Sequence, residues 1–307
     1  MDFDLDESQE VLQSAVAQAT AKYRLAPVSP VFDAYDTDLE RDLEAGGYFQ
    51  VMGQEGYGPI DAALTVETLA RLPRTAEIGA SLLVAPKLLA EALPRPIALM
   101  SRADIPVARF LAQAKTAIID IGDDVLVLDL AATERVQTEG LYAYPFGAFS
   151  RPPELSRARR LGAAAVPVLR QWWRIAIAME AAGALQAAMD FTVSYLKDRR
   201  QFGRPLGSFQ AIQHRLAQGT SLIQGLRWLA LNAAWNEDPR DAALAATFAQ
   251  EAAQSVAYDL HQFSGALGLT LEHPLHFWTY RLKSLQGELG AVHAQAAAAA
   301  DLAWPAR

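Results

Sequence analysis

The stretch Tyr195-Leu196-Lys197-Asp198-Arg199-Arg200-Gln201-Phe202-Gly203-Arg204-Pro205-Leu206-Gly207-Ser208-Phe209-Gln210-Ala211-Ile212-Gln213-His214 reads as a helix end, a tight turn and a second helix start. Upstream, Ile175, Met179, Ala182, Leu185, Met189, Val193 and Leu196 recur at steps of three and four, an apolar stripe of helical period. Gly203 and Pro205 stop that helix. Downstream, Phe209, Ile212, Leu216, Ile223 and Leu226 share one face of a helix starting near Ser208. Asp238-Pro239 is an N-cap followed by proline at the first helical position, opening a third helix that ends near Gly265. His273-Pro274 opens a fourth, broken at Gly287 and Gly290, and an alanine-rich helix runs to about Asp301. Pro167 marks the start of the first of these helices. Long helices with short connections predict an antiparallel four-helix bundle.

Working outward, Asp6 to Tyr23, Asp38 to Ala45, Ile60 to Leu72 and Thr75 to about Leu93 read as helices. The loop Gly53-Gln54-Glu55-Gly56-Tyr57-Gly58-Pro59 is a plain turn, because no strand leads into it and no Lys-Ser/Thr follows. Between the helical parts, Ala117–Ile121 and Val125–Leu130 flank a Gly-Asp turn and predict a β-hairpin. Further short strands are expected at Pro106–Leu111 and Leu141–Phe146, and Arg151-Pro152-Pro153 reads as a linker. The expectation is therefore a mainly α chain with a small β domain: a helical domain over 1–95, a reduced β domain over 96–155 and a four-helix bundle over 156–307.

Composition bounds the function. Of 307 residues, 51% are apolar and 20% charged, which excludes a wholly disordered chain. The net charge of −8 argues against binding to a nucleic-acid backbone. The basic cluster Arg157, Arg159 and Arg160 reads as a solvated linker. With no cysteine, disulfides, thiolate nucleophiles and Cys-type metal sites are excluded. The acidic start, Met1 to Glu7, is no secretory signal, and no apolar run is long enough to span a membrane. A cytoplasmic location is expected. Among the five histidines only His273 and His276 are spaced for one helix face, and no further ligands are specified, so no metal is expected.

The turn sequence from Tyr195 to His214 resembles the third-domain signature of acyl-CoA dehydrogenases. Gln262-Phe263-Ser264-Gly265-Ala266-Leu267-Gly268, followed by Glu272-His273-Pro274, is similar to that family's glutamine–glycine flavin loop. Leu43-Glu44-Ala45-Gly46-Gly47-Tyr48 and Tyr57-Gly58 resemble its first domain. The resemblance is strongest over 168–276, fair over 1–95 and poor over 96–155. It implies that Arg199, Gln201, Phe202, Leu206, Gln210, Ile212, Gln262 and Gly265 contact the adenosine-pyrophosphate half of an FAD held mainly by a neighbouring subunit. The chemistry agrees. A guanidinium matches phosphate oxygens with paired hydrogen bonds and keeps its charge. Phe202 offers an apolar face, Gly203 frees the backbone to turn, and Gln262 both donates and accepts. The alternative is that Arg199 and Arg200 form surface salt bridges and Gly265 only ends a helix.

Three departures from the family pattern stand out. The six tryptophans, Trp172, Trp173, Trp228, Trp235, Trp278 and Trp304, all lie outside the β region. No Gly-Ser-Asp occurs, so the family's seat for the isoalloxazine ring is not expected here. The usual position of the catalytic glutamate falls on Leu289, with Glu288 one residue early, about 100° away on a helix. The other family position, on the first bundle helix, falls on Trp173. Glu180, two turns further along, reads as a partly buried, hydrogen-bonded glutamate or an intersubunit contact rather than a base.

The resemblance then implies a subunit of a heteromeric FAD-dependent acyl-CoA dehydrogenase, in an α2β2 assembly. It would share FAD with a second acyl-CoA dehydrogenase chain that supplies the base for α,β-dehydrogenation of an acyl-CoA. Family members so arranged act on steroid side chains. Two alternatives stay open: an active homo-oligomeric enzyme with Glu288 as base, and a flavin-free scaffold or acyl-CoA-binding protein of the same fold.

Overall fold

The computed structural model describes residues 4–26, 34–101, 107–140 and 142–304. Asp6 starts the first helix reciprocally: its carboxylate accepts the Gln9 N–H at 2.9 Å, and its own N–H donates to the Gln9 side chain at 3.1 Å. Helix α1 spans Glu7–Ala19, α2 spans Thr37–Ala45 under an Asp36 cap, and α3 spans Pro59–Ala70 with proline first. Thr75–Leu93 departs from expectation. Helical backbone begins only with a π-helical turn, Ala80–Val84, and α4 (Ala85–Leu88) is one turn long. Glu77 sets the start, because its buried carboxylate accepts the N–H groups of Ala80 at 2.8 Å and Ser81 at 3.0 Å. Pro86 has no N–H to give, so the hydrogen-bond pattern changes where it enters.

Strands β1 (Ile97–Met100), β3 (Thr116–Asp120), β4 (Val125–Asp129) and β7 (Arg159–Arg160) form one sheet in the order β1-β3-β4-β7. β2 (Val107–Arg109), β6 (Phe146–Phe149) and β5 (Arg135–Thr138) form a second, ordered β2-β6-β5. The expected hairpin is β3–β4, with Ile118 opposite Val127. The strand expected at Pro106–Leu111 is β2, though Pro106 lies outside the described residues. The strand expected at Leu141–Phe146 is displaced to β6. Ala143 takes a left-handed φ of 51° and Pro145 lacks an N–H, so ladder pairing cannot begin before Phe146; Leu141 is outside the described residues. The cluster at Arg157–Arg160 is exposed as expected but is no free linker. Arg159 and Arg160 pair with β4 as an edge strand, and Arg160 reaches Asp124 at 2.7 Å.

The C-terminal half is helical: α5 (Ala165–Asp198), α6 (Gln210–Asn236), α7 (Pro239–Ser264), α8 (His276–Leu285) and α9 (Ala291–Ala303). The short strands β8 (Arg200–Gln201) and β9 (Arg204–Pro205) join α5 to α6. α5 starts two residues before Pro167, which fits within a first turn. α8 starts at His276 rather than Pro274, since Pro274 belongs to the preceding turn and its carbonyl accepts the Phe277 N–H at 3.0 Å. Apolar on all sides, α5 is the buried axis of the molecule, packed by α3, α6, α7 and α8. Among the described residues no helix is long and apolar enough to cross a membrane. The chain is thus mainly α with a small β region, as expected.

Candidate functional site

A cavity of about 560 Å³ opens between the β region and the bundle. Ile97, Leu99, Val107, Phe110, Phe146 and Trp173 give it apolar walls, and one cluster of buried charge interrupts them. Arg109 comes from the end of β2, with only 10% of its side chain exposed. Phe110, directly after it, takes a left-handed φ of 65°. That turn puts the Phe110 ring edge-on to Tyr35 (6.0 Å) and Tyr144 (5.5 Å) and lays the Arg109 guanidinium 4.5 Å from the Tyr144 ring centre. The guanidinium grips Glu180 of α5 with two bonds, at 2.5 and 3.2 Å, and Tyr144 O–H donates to the same carboxylate at 2.8 Å. Gly79 makes room: a Cβ there would collide with Glu180 Oε1. Glu180 is therefore hydrogen-bonded, as the sequence indicates, and more fully buried than expected, at 2% exposure.

On its other side Arg109 Nε lies 2.8 Å from Glu288 Oε1. The Trp173 indole N–H donates to Glu288 Oε2 at 2.6 Å. Trp173, which the resemblance puts at one position for a base, thus donates to Glu288, the neighbour of Leu289 at the other. The expectation that Glu288 stands about 100° away from the Leu289 position is corrected. The helix is interrupted: Leu289 (φ 52°), Gly290 (φ 85°) and Ala291 (φ 63°) are left-handed in succession, so one residue no longer means a fixed rotation. Both Glu288 and Leu289 line the cavity. Burial pushes the Glu288 carboxyl above its ordinary value; the Arg109 charge opposes this, and Glu180 reinforces it. For Arg109, burial acts against the charge, but Glu180 and Glu288 together hold the guanidinium well above its ordinary value.

The turn motif lies elsewhere. Phe202 (φ 54°) and Gly203 (φ 82°) are both left-handed, the two-residue turn that closes a tight hairpin between β8 and β9. Arg199 ends α5, its backbone fixed by its N–H to Tyr195 (2.9 Å) and its carbonyl to Leu206 (2.8 Å), with its side chain exposed. Phe202 is 86% exposed, Gln201 and Gln210 are exposed, and Leu206 and Ile212 are half-buried. Gln262 and Gly265 are exposed at the end of α7, and Gly265 (φ 63°, ψ −150°) occupies backbone space open essentially to glycine alone. His273 ties the two motifs to one end of the bundle. It bonds Ser264 at 3.2 Å and packs between Phe191 (4.9 Å) and Tyr195 (5.0 Å). Among the described residues Arg199, Arg200 and Gln262 have no side-chain ion pair or hydrogen bond, so the surface salt-bridge alternative finds no partner. A free guanidinium, an exposed ring and a free amide suit a pyrophosphate and a nucleoside.

The cavity and the motif end are far apart. Glu180 lies midway along α5 and Arg199 directly follows its last residue, 19 positions further on. That is about 28 Å along the axis at the standard rise. Arg109 and Tyr144 were not singled out by the sequence. Their one local signal is polar atoms in an apolar, turn-rich stretch; their partner Glu180 is 71 and 36 residues away.

Residues 168–301 match the family described as the C-terminal domain of acyl-CoA dehydrogenase. Acyl-CoA dehydrogenase IpdE2 of Mycobacterium tuberculosis is 29% identical over 292 residues, covering 90% of this chain and 91% of its own. Among solved structures, a chain of the ChsE4-ChsE5 complex from Mycobacterium tuberculosis superposes with a TM-score of 0.83 at 22% identity, over 100% of both chains. A chain of the Tcur3481-Tcur3483 steroid ACAD G363A variant gives 0.80 at 24%, over 97% of this chain and 98% of that one.

Proposed function

We propose that the chain serves as the non-catalytic half of a two-chain enzyme of the acyl-CoA dehydrogenase type, a reading supported by the family match over residues 168–301 and by the likeness to IpdE2. The carrying observation is the separation of about 28 Å along α5 between the cavity and Arg199. A five-carbon ribityl chain is much shorter than that, so an FAD whose pyrophosphate Arg199 held would carry its ring toward a neighbouring chain rather than into this cavity. Arg199 would hold the pyrophosphate by paired, charge-assisted hydrogen bonds. Gln262 would bond the adenosine, Phe202 would cover it, and Gln201, Leu206, Gln210, Ile212 and Gly265 would complete that edge. FAD supplies the hydride acceptor when bound.

The base is assigned to the partner. In this chain both oxygens of Glu288 already accept hydrogen bonds, from Arg109 and Trp173. Phe202 in the turn and Leu267, Leu269 and Leu271 after α7 are exposed apolar side chains, of the kind expected beside a second chain. The partner would be another acyl-CoA dehydrogenase chain, and the reaction the α,β-dehydrogenation of an acyl-CoA. Two matched structures carry paired names, and one of these is named a steroid enzyme; a bulky alicyclic acyl group is the substrate class this favours. The test is FAD retention by the purified two-chain complex. Arg199→Ala should lose most of the flavin on gel filtration. Arg215→Ala, which removes a surface arginine paired with Asp259, should lose none. Equal retention in both would refute the assignment.

A further inference from the structure

We propose that Arg109 is the residue that disarms this cavity: bonded to Glu288 on one side and to Glu180 on the other, it makes Glu288 a latent base rather than a lost one. This deepens the reading above, and it rests on that reading only in treating the cavity as idle in the native chain. Glu288 is on the cavity wall, with a side chain only 14% exposed. A carboxylate so placed is ordinarily a strong proton acceptor, because burial disfavours its charge. The charged and titratable groups facing it come from every wall. They are Arg109 from β2, Tyr142 from the loop before β6, Glu180 from α5, Lys283 from α8 and Glu77 before the π turn, with Tyr144 bonded behind Glu180.

Arg109 is the group that works hardest against that basicity. An opposite charge in contact typically lowers a carboxyl by 1–3 pH units, about 10- to 1,000-fold in proton affinity. The backbone is shaped to make this contact. Phe110, beside Arg109, and Leu289 and Ala291, beside Glu288, are left-handed without being glycine. Such backbone is strained, and strain of this kind concentrates where geometry matters. Both ends of one ion pair carry it.

The latent step is an enolisation. The Glu288 carboxylate takes the proton from Cα of a thioester; the C–H pair moves into the Cα–C bond and the carbonyl pair onto oxygen. In D2O the acid exchanges its proton and returns a deuteron to Cα. No oxidant is needed, so the assay is independent of flavin.

Removing Arg109 alone leaves two buried carboxylates unpaired and threatens folding. The informative comparison is therefore Glu180→Gln against Arg109→Gln/Glu180→Gln, which differ by one charge. The protonation midpoint of Glu288 is read from the protonated-carboxyl infrared band, with Glu288→Gln as the subtraction control. The double variant should titrate 1–3 units higher. It should also wash deuterium into phenylacetyl-CoA at least tenfold faster than Glu180→Gln, and adding Glu288→Gln should abolish the gain. Midpoints within half a unit of each other would overturn the charge lock; a shifted midpoint without wash-in would overturn the latent base. Neither result depends on FAD content, so failure of the two-chain reading, seen as a yellow and active native chain, is scored separately.

Discussion

Gly183→Ala in α5 should destabilise the protein, against the usual sign for glycine in a helix. Inside an exposed helix the substitution gains up to about 1 kcal/mol. Gly183, however, is where α5 meets α3. An added Cβ would press on the Glu67 carbonyl oxygen and lie 2.9 Å from Ala70 Cβ and 3.1 Å from the Glu67 carbonyl carbon. Two of these atoms are backbone of a packed helix and cannot rotate away. Glu67 is itself fixed by the Arg227 guanidinium at 2.9 Å, so α3 has little freedom to slide. Overpacking of this kind costs roughly 1–3 kcal/mol, which exceeds the helical gain. Gly225→Ala in α6 is the matched control. Its Cβ meets nothing nearer than the Phe248 ring at 3.7 Å, an ordinary contact. It should stabilise by roughly 0.5–1 kcal/mol. Urea unfolding followed by circular dichroism reads both, and the midpoints should move in opposite directions. Shifts of the same sign would refute the helix–helix packing described here.

Three further outcomes are expected. Burial holds His261, His273 and His276 below the ordinary histidine value, with His261 opposed by its bond to Gly268. Their neutral forms favour the folded state; that stability is complete above the unfolded value of about 6.5 and fades as pH falls below it, so urea midpoints should drop between pH 7.5 and 5.5. His261→Asn should flatten the dependence, and an unchanged slope would place the titration elsewhere. Asp238→Ala removes the carboxylate that caps α7 through the Arg240 N–H at 2.8 Å, and should cost about 1 kcal/mol in the same assay. Trp173→Phe deletes the donor to Glu288 at 2.6 Å and should cost about 1.5–3 kcal/mol; a neutral effect would deny that the bond forms in solution.

The bundle was legible because its signals are local. An apolar stripe, a Gly-Pro stop and an Asp-Pro cap each act within a few residues, and α5, α6 and α7 follow them closely. The turn motif was legible for the same reason, since Phe202-Gly203 dictates its own hairpin. The cavity was not. Arg109, Tyr144, Glu180 and Glu288 converge from four separated segments, and no periodicity links them. Glu288 shows the limit sharply: a helical count misplaced it because three left-handed residues replace the helix just where the count was made. The helix expected from Thr75 failed on the side-chain cap of Glu77, a hydrogen bond that propensity does not register.

The most direct measurement is the visible flavin spectrum of this chain purified alone, expressed as FAD per chain. A folded, colourless protein that becomes part of a yellow complex only with its partner is the expected result. About one FAD per chain, bleached by an acyl-CoA, would contradict it, because the chain would then seat the ring and supply the base unaided.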